Sequence, residues 1–113
     1  MRPMMRAVPR LLLALCGLCS GAICDAADPK AARARVEQVC QACHGMDGNS
    51  QVADNPKLGG QYPDYLAKAL RDYQSGLRKN PVMAGFVDKL SKQDIENLAA
   101  YYSSQPATVV TKQ

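Results

Sequence analysis

The sequence predicts an all-α domain of three main helices joined by two long loops. Three observations lead there. Apolar residues recur at spacings of three and four in three separate segments. Asp, Ser, Pro and Gly stand where those segments should start and stop. No run alternates polar and apolar residues with the period of a half-buried strand. The β-prone TVVTKQ at the C-terminus is short and terminal, and reads as a frayed tail.

The first 26 residues stand apart from this pattern. MRPMMRAVPR carries three arginines and no acid, LLLALCGLCSGAIC is an uncharged apolar run, and small residues follow in CDAADP. Basic, then apolar, then small is the order of a secretory signal peptide, so residues 1–26 are assigned to export, with cleavage after Ala26. The apolar run is shorter than the roughly 20 residues of a membrane-spanning helix. An uncleaved anchor and lipid attachment are the alternatives, and LAL and GAI before the cysteines fit a lipidation box poorly. Cys16, Cys19 and Cys24 then belong to the export segment, where cysteine acts as a small hydrophobe.

What remains is one domain, residues 27–113, of ordinary small size. The whole chain has 14 basic and 10 acidic residues, a charge of +4. Without Arg2, Arg6, Arg10 and Asp25 the balance falls to +2. No basic block is dense enough for nucleic-acid binding.

The elements follow in order. Asp28-Pro29 is an N-cap with proline at the first helical position, and KAARARVEQVCQACH continues it without Gly or Pro. Ala32, Val36, Val39 and Cys43 share one face of that helix. GMDGNSQVADNPKLGG has loop composition. Pro63 opens a second helix, PDYLAKALRDYQS, with Leu66, Ala69, Leu70 and Tyr73 as its buried stripe and Gly76 at its C-terminal cap. GLRKNPVMAGF reads as a second loop. The last helix begins near Ser91, with Asp94 forming a weaker version of a capping box. Ile95, Leu98, Ala99 and Tyr102 form its stripe, and Pro106 limits its end. A domain this small, with this much loop, is short of apolar core. Something else must fill the interior.

The sequence CQACH at Cys40–His44 says what. CxxCH is the attachment signature of c-type haem. Two thiols three residues apart on a helical turn can reach the two vinyl groups at one porphyrin edge. The adjacent imidazole, His44, is then aimed at the iron from the same side. Serine at position 20 denies the upstream CxxC pair that reading. Three alternatives are weaker. A redox dithiol wants a strand before the motif and a parallel sheet. A zinc site lacks a fourth Cys or His in residues 27–113. A Cys40–Cys43 disulfide, formed in an oxidising compartment, is the third.

His44 is the sole histidine, so the second axial position cannot be another histidine. Residues 27–113 contain two methionines, Met46 and Met83. Met46 is two residues from His44 and cannot easily reach the opposite face of the ring. Met83, in a loop stiffened by Pro81, can. A role for Met83 as core filler and a role for Lys79 as distal ligand stay open at this point.

With these features the chain resembles the class I cytochromes c, in particular small bacterial periplasmic monohaem members and the single domains of their dihaem relatives. The resemblance covers nearly all of residues 27–113 and runs through the helix ending in CQACH, then NPKLGG, RKNPVMAGF and DIENLAAYYSSQ. It implies a cytochrome c fold, with three main helices and long loops wrapped around one covalently bound haem c. It implies thioethers at Cys40 and Cys43, and axial ligation by His44 and Met83. The carbonyl of Pro56 is expected to orient His44 through its other ring nitrogen. It also implies crossing of the first and last helices, with Ala32 where the family often has glycine and with Leu98 and Tyr101 opposite.

The implied function is that of an electron-transfer protein and not an enzyme: a monomeric periplasmic one-electron carrier. It would serve redox protein partners by transient docking, among them membrane respiratory complexes, a terminal oxidase or a dehydrogenase, with no nucleic acid and no small-molecule substrate. Lys57, Lys68, Arg71, Arg78 and Lys79 flank the expected haem loops and could steer it to acidic partners. Two rivals stand beside this reading. One is a haem-based ligand sensor with a displaceable methionine; the other is a permanently bound cytochrome subunit of a larger redox enzyme.

Overall fold

The computed structural model describes residues 26–108. The expected export segment, apart from Ala26, and the last five residues of the expected tail lie outside the described residues. Helix α1 (Pro29–Arg35) starts as its cap predicts. The Asp28 carboxylate accepts from the Lys30 backbone N–H at 2.9 Å, and Pro29 occupies the first helical position. The helix runs on through a π-helical turn at Val36–Cys40 into α2 (Gln41–His44). That turn was not legible in the apolar spacing. Ala32 before it and Val36 at its start are buried; at its end and beyond, Cys40, Cys43 and His44 face a cavity. One extra residue in a turn rotates everything after it by about 100°, and such turns recur at functional sites.

The loop after α2 is tightly closed. Gly48 accepts from the Leu58 and Gly59 N–H groups at 2.7 and 3.1 Å, folding NPKLGG back onto the motif. Gly48 has φ +73°, and a Cβ there would lie 2.6 Å from the Gly59 nitrogen and 2.7 Å from Tyr102 Cδ1. Only glycine fits both the conformation and the space. Buried Asn49 donates to the Pro106 carbonyl at 2.9 Å and ties this loop to the segment after the last helix.

Helix α3 (Pro63–Ser75) ends at Gly76, which adopts the left-handed conformation expected of a C-terminal cap. Its deepest residues are Leu66 and Ala67; Ala69, Leu70 and Tyr73 are half-buried because they turn to the cavity. The segment GLRKNPVMAGF is not a loop throughout. Pro81–Val87 form a short helix, α4, capped by Asn80, whose side chain accepts from the Val82 and Met83 N–H groups at 3.0 and 3.1 Å. The Gln74 amide of α3 donates to the Val87 and Leu90 carbonyls at 2.7 and 2.8 Å, which holds the C-terminal end of α4 against α3.

Helix α5 (Lys92–Ser103) is the element against which α1 and α3 pack. Its capping box is complete: Asp94 N–H donates to Ser91 Oγ at 3.0 Å, and Ser91 N–H donates to the Asp94 carboxylate at 2.9 Å. Ile95, Leu98, Ala99, Tyr101 and Tyr102 are buried, and Ala32, Leu98 and Tyr101 share one core. Buried Asn97 accepts from Asp28 N–H at 2.8 Å, so the start of the domain is fastened to α5. Among the described residues no strand forms, and no helix is long and apolar enough to cross a membrane.

Candidate haem site

A cavity of about 530 Å³ opens between α2, α3, α4 and the loop 54–61. Its volume lies within the range of about 300–1,000 Å³ typical of ligand sites. Cys40, Cys43 and His44 line it from one side, and Met83, Phe86 and Val87 of α4 also line it. Leu58, Leu66, Leu70 and Leu98 supply further apolar wall. Phe86 and Tyr65 are each half exposed while lining it, apolar surface that a flat ligand in the cavity would cover.

His44 is buried, with Nδ1 2.8 Å from the Pro56 carbonyl oxygen. A carbonyl only accepts, so Nδ1 carries the proton and donates. That leaves Nε2 as the lone-pair nitrogen, the form in which a histidine binds metal. Tyr101 and Tyr102 hold the chain just after the histidine: their hydroxyls donate to the Met46 and Gly45 carbonyls at 2.8 and 3.2 Å. The two rings meet edge to face, with centroids 5.2 Å apart. Burial pushes the Tyr102 hydroxyl well above its ordinary pKa, so it stays protonated and keeps donating. Neither contact was visible in the sequence, where Tyr102 registered only as one member of an apolar stripe.

Burial also raises the pKa of the Cys40 thiol, with the Arg35 charge pulling the other way. A redox-active dithiol needs the opposite shift. The two cysteines are not bonded to each other. Met46 packs against the core, and neither it nor Lys79 lines the cavity, whereas Met83 does. The donor set around the cavity is therefore two thiols, one oriented imidazole and one thioether. Soft sulfur and neutral imidazole suit haem iron, and the apolar wall suits a porphyrin. The residues fit a haem.

Of the five basic residues expected to face partners, two are engaged. Lys68 pairs with Asp72, and Arg71 with Glu96 at 2.8 Å. Among the described residues, Lys57, Arg78 and Lys79 have no carboxylate within ion-pair distance.

Residues 27–101 match the family described as cytochrome C oxidase, cbb3-type, subunit III. Among curated proteins, cytochrome c4 of Thiocapsa roseopersicina is 46% identical over 81 residues, which is 72% of this chain and 42% of that protein. A thiosulfate dehydrogenase electron acceptor of Thiomonas intermedia is 42% identical over 79 residues, 69% of this chain and 34% of that protein. Among solved structures, reduced recombinant cytochrome c4 from Pseudomonas stutzeri superposes with a TM-score of 0.69 at 45% identity, over 74% of this chain and 48% of that one. The chain thus spans less than half the length of these relatives.

Proposed function

The chain belongs to the class I c-type cytochromes, with their all-α fold and covalently bound haem c, and from that premise we propose that it is a periplasmic one-electron carrier. Cys40 and Cys43 form the two thioethers. His44 Nε2 and Met83 Sδ would bind the haem iron, and Pro56 fixes the imidazole by accepting from Nδ1. The observation that carries this assignment is convergence: CxxCH from α2 and a methionine from α4 meet at one apolar cavity, with the histidine already oriented.

The bound group supplies a one-electron couple at iron. The protein's own contribution would be to supply an iron ligand from each of two segments, His44 and Met83, which would leave no position for oxygen or substrate and favour the reduced state through the thioether. The apolar walls exclude water, and Phe86 and Val82 at the cavity are exposed enough to bring a partner close. Lys57, Arg78 and Lys79 steer acidic partners into transient contact. The carrier works as a monomer, and residues 1–26 direct it to the periplasm. The relative named as an electron acceptor of thiosulfate dehydrogenase supports a dehydrogenase as one class of donor.

Two measurements test this reading. Mass spectrometry of protein purified from the periplasm, after acid–acetone washing, should find the haem mass on the peptide that contains Cys40 and Cys43. A spectroelectrochemical titration should follow a single one-electron wave. Haem that extracts freely, or ferrous protein that binds carbon monoxide readily, contradicts it.

A further inference from the structure

The Pro56 carbonyl accepts from His44 Nδ1, yet Pro56 is itself poorly packed. It is exposed, and a second, open cavity of about 260 Å³ lies along its loop, lined by Ser50, Val52, Pro56 and Lys57 among others. Hydrogen bonds at the two ends of the loop do the holding. Buried Asn49, at its start, donates from Nδ2 to the Pro106 carbonyl at 2.9 Å and accepts at Oδ1 from the Thr108 hydroxyl. Lys57, directly after Pro56, donates from Nζ to that same Thr108 hydroxyl at 3.3 Å. Thr108 therefore bridges the two flanks of the loop. The chain between lies flat on two glycines: a Cβ on Gly59 would come 2.7 Å from the Pro106 oxygen, and one on Gly60 would come 2.5 Å from Ala107 Cβ. The Gly60 N–H donates to the Tyr102 carbonyl at 3.0 Å, where this strap leaves α5.

A hydrogen bond weakens steeply as its length and angle depart from the optimum, so where the Pro56 carbonyl stands decides how strongly it draws on Nδ1–H. Donation from Nδ1 in turn makes the imidazole a stronger base toward a metal at its other nitrogen. We propose that Asn49 and Thr108 are positioning residues for His44. They strap residues 106–108 across the loop, hold the Pro56 carbonyl on Nδ1, and thereby set the reduction potential of the iron that His44 binds. This rests on the reading of His44 as an iron ligand. The sign follows from the charge on the metal. A firm Nδ1–H bond gives a better donor, and a better donor favours ferric iron, so loosening the strap raises the potential. An Asn49 that only fastened the fold would change stability and leave the potential where it was.

The test uses the purified haem-bound protein. Proton magnetic resonance of the ferrous form resolves the His44 Nδ1–H, whose exchange with solvent reports opening of its bond to Pro56; spectroelectrochemistry gives the potential. Thr108→Val keeps the side-chain shape and removes the bridging hydroxyl. It should speed Nδ1–H exchange about fivefold, the opening that loss of one hydrogen bond permits, and raise the potential. Thr108→Ser should restore both to wild type. Asn49→Ala should act in the same direction and more strongly; if it does not accumulate, Thr108→Val, at an exposed position, suffices. Ser103→Ala removes a hydroxyl that bonds only to the Ala100 carbonyl, and should change neither quantity. A Thr108→Val protein that carries its haem but shows unchanged exchange and potential would overturn the proposal while leaving the haem assignment standing. Wild-type protein that lacks the ring-shifted signals of an iron-bound imidazole would overturn both.

Discussion

At the scale of single residues, the site depends on a few side chains with one task each. Met83 is the most directly testable of these, because on the proposed reading it joins α4 to the iron, and no other methionine among the described residues lines the cavity. Met83→Ala should abolish the weak far-red absorption of ferric methionine-ligated haem and let the ferrous protein bind carbon monoxide. An unchanged spectrum would assign the ligand elsewhere. Gly48 is the corresponding point in the backbone. Gly48→Ala forces a side chain into a left-handed conformation against Gly59 and Tyr102, at a cost of about 2–4 kcal/mol from strain and overpacking. Thermal unfolding of the holoprotein measures it; a loss below about 0.5 kcal/mol would show that the loop relaxes freely. That Cys40, Cys43, His44 and Met83 line one cavity was legible because CxxCH, and a methionine far enough downstream to wrap round, are rare residue types at informative spacings. Tyr101, Tyr102, Asn97 and Gln74 were not. Each acts through a bond to a backbone or polar group distant in sequence, and such partners leave no local pattern.

At the scale of elements, local signals were reliable wherever a cap was followed by enough periodic residues. Asp28-Pro29, Pro63 and Ser91 each begin a helix as read. Asn80-Pro81 carries the same signature as Asp28-Pro29, yet its helix has seven residues with Gly85 inside, and so it passed for loop. The π-helical turn escaped for a different reason. It changes the phase of the buried face midway, so that no single period describes residues 29–44. The Ser91–Asp94 box gives a prediction about acid stability. Hydrogen bonds from Ser91 hold the Asp94 carboxyl below its ordinary pKa, and bonds from Asn49 do the same for Asp47. A carboxyl depressed in the folded state adds stability above its unfolded value, and that stability is lost as pH falls through the folded value. Stability should therefore be level above pH 5 and decline below about pH 4. Ser91→Ala should cost about 1 kcal/mol at neutral pH and flatten part of the acid decline. Denaturant midpoints at pH 3.5 and pH 7 check both statements; an equal loss for the variant at both pH values would remove Asp94 from the account.

At the scale of the whole molecule, α1 and α3 pack on α5 and α4 packs on α3, but a space remains between α2, α3 and α4. The space between α2, α3 and α4 is lined by half-exposed apolar side chains, among them Tyr65 and Phe86. A domain of this size buries only about 60% of its unfolded surface and is marginal without a staple. The haem is that staple. On the proposed ligation by His44 and Met83 it would fill the apolar cavity and close a loop of about forty residues, which loop-closure entropy values at a few kcal/mol. The central claim is that this sequence completes its core only with the cofactor attached. Cys40→Ala with Cys43→Ala prevents attachment and leaves helix propensity intact or improved. Far-ultraviolet circular dichroism of that double variant, prepared without haem, is the most direct test. The account predicts a largely disordered chain with no cooperative thermal transition. Near-native helix content that melts cooperatively would contradict it.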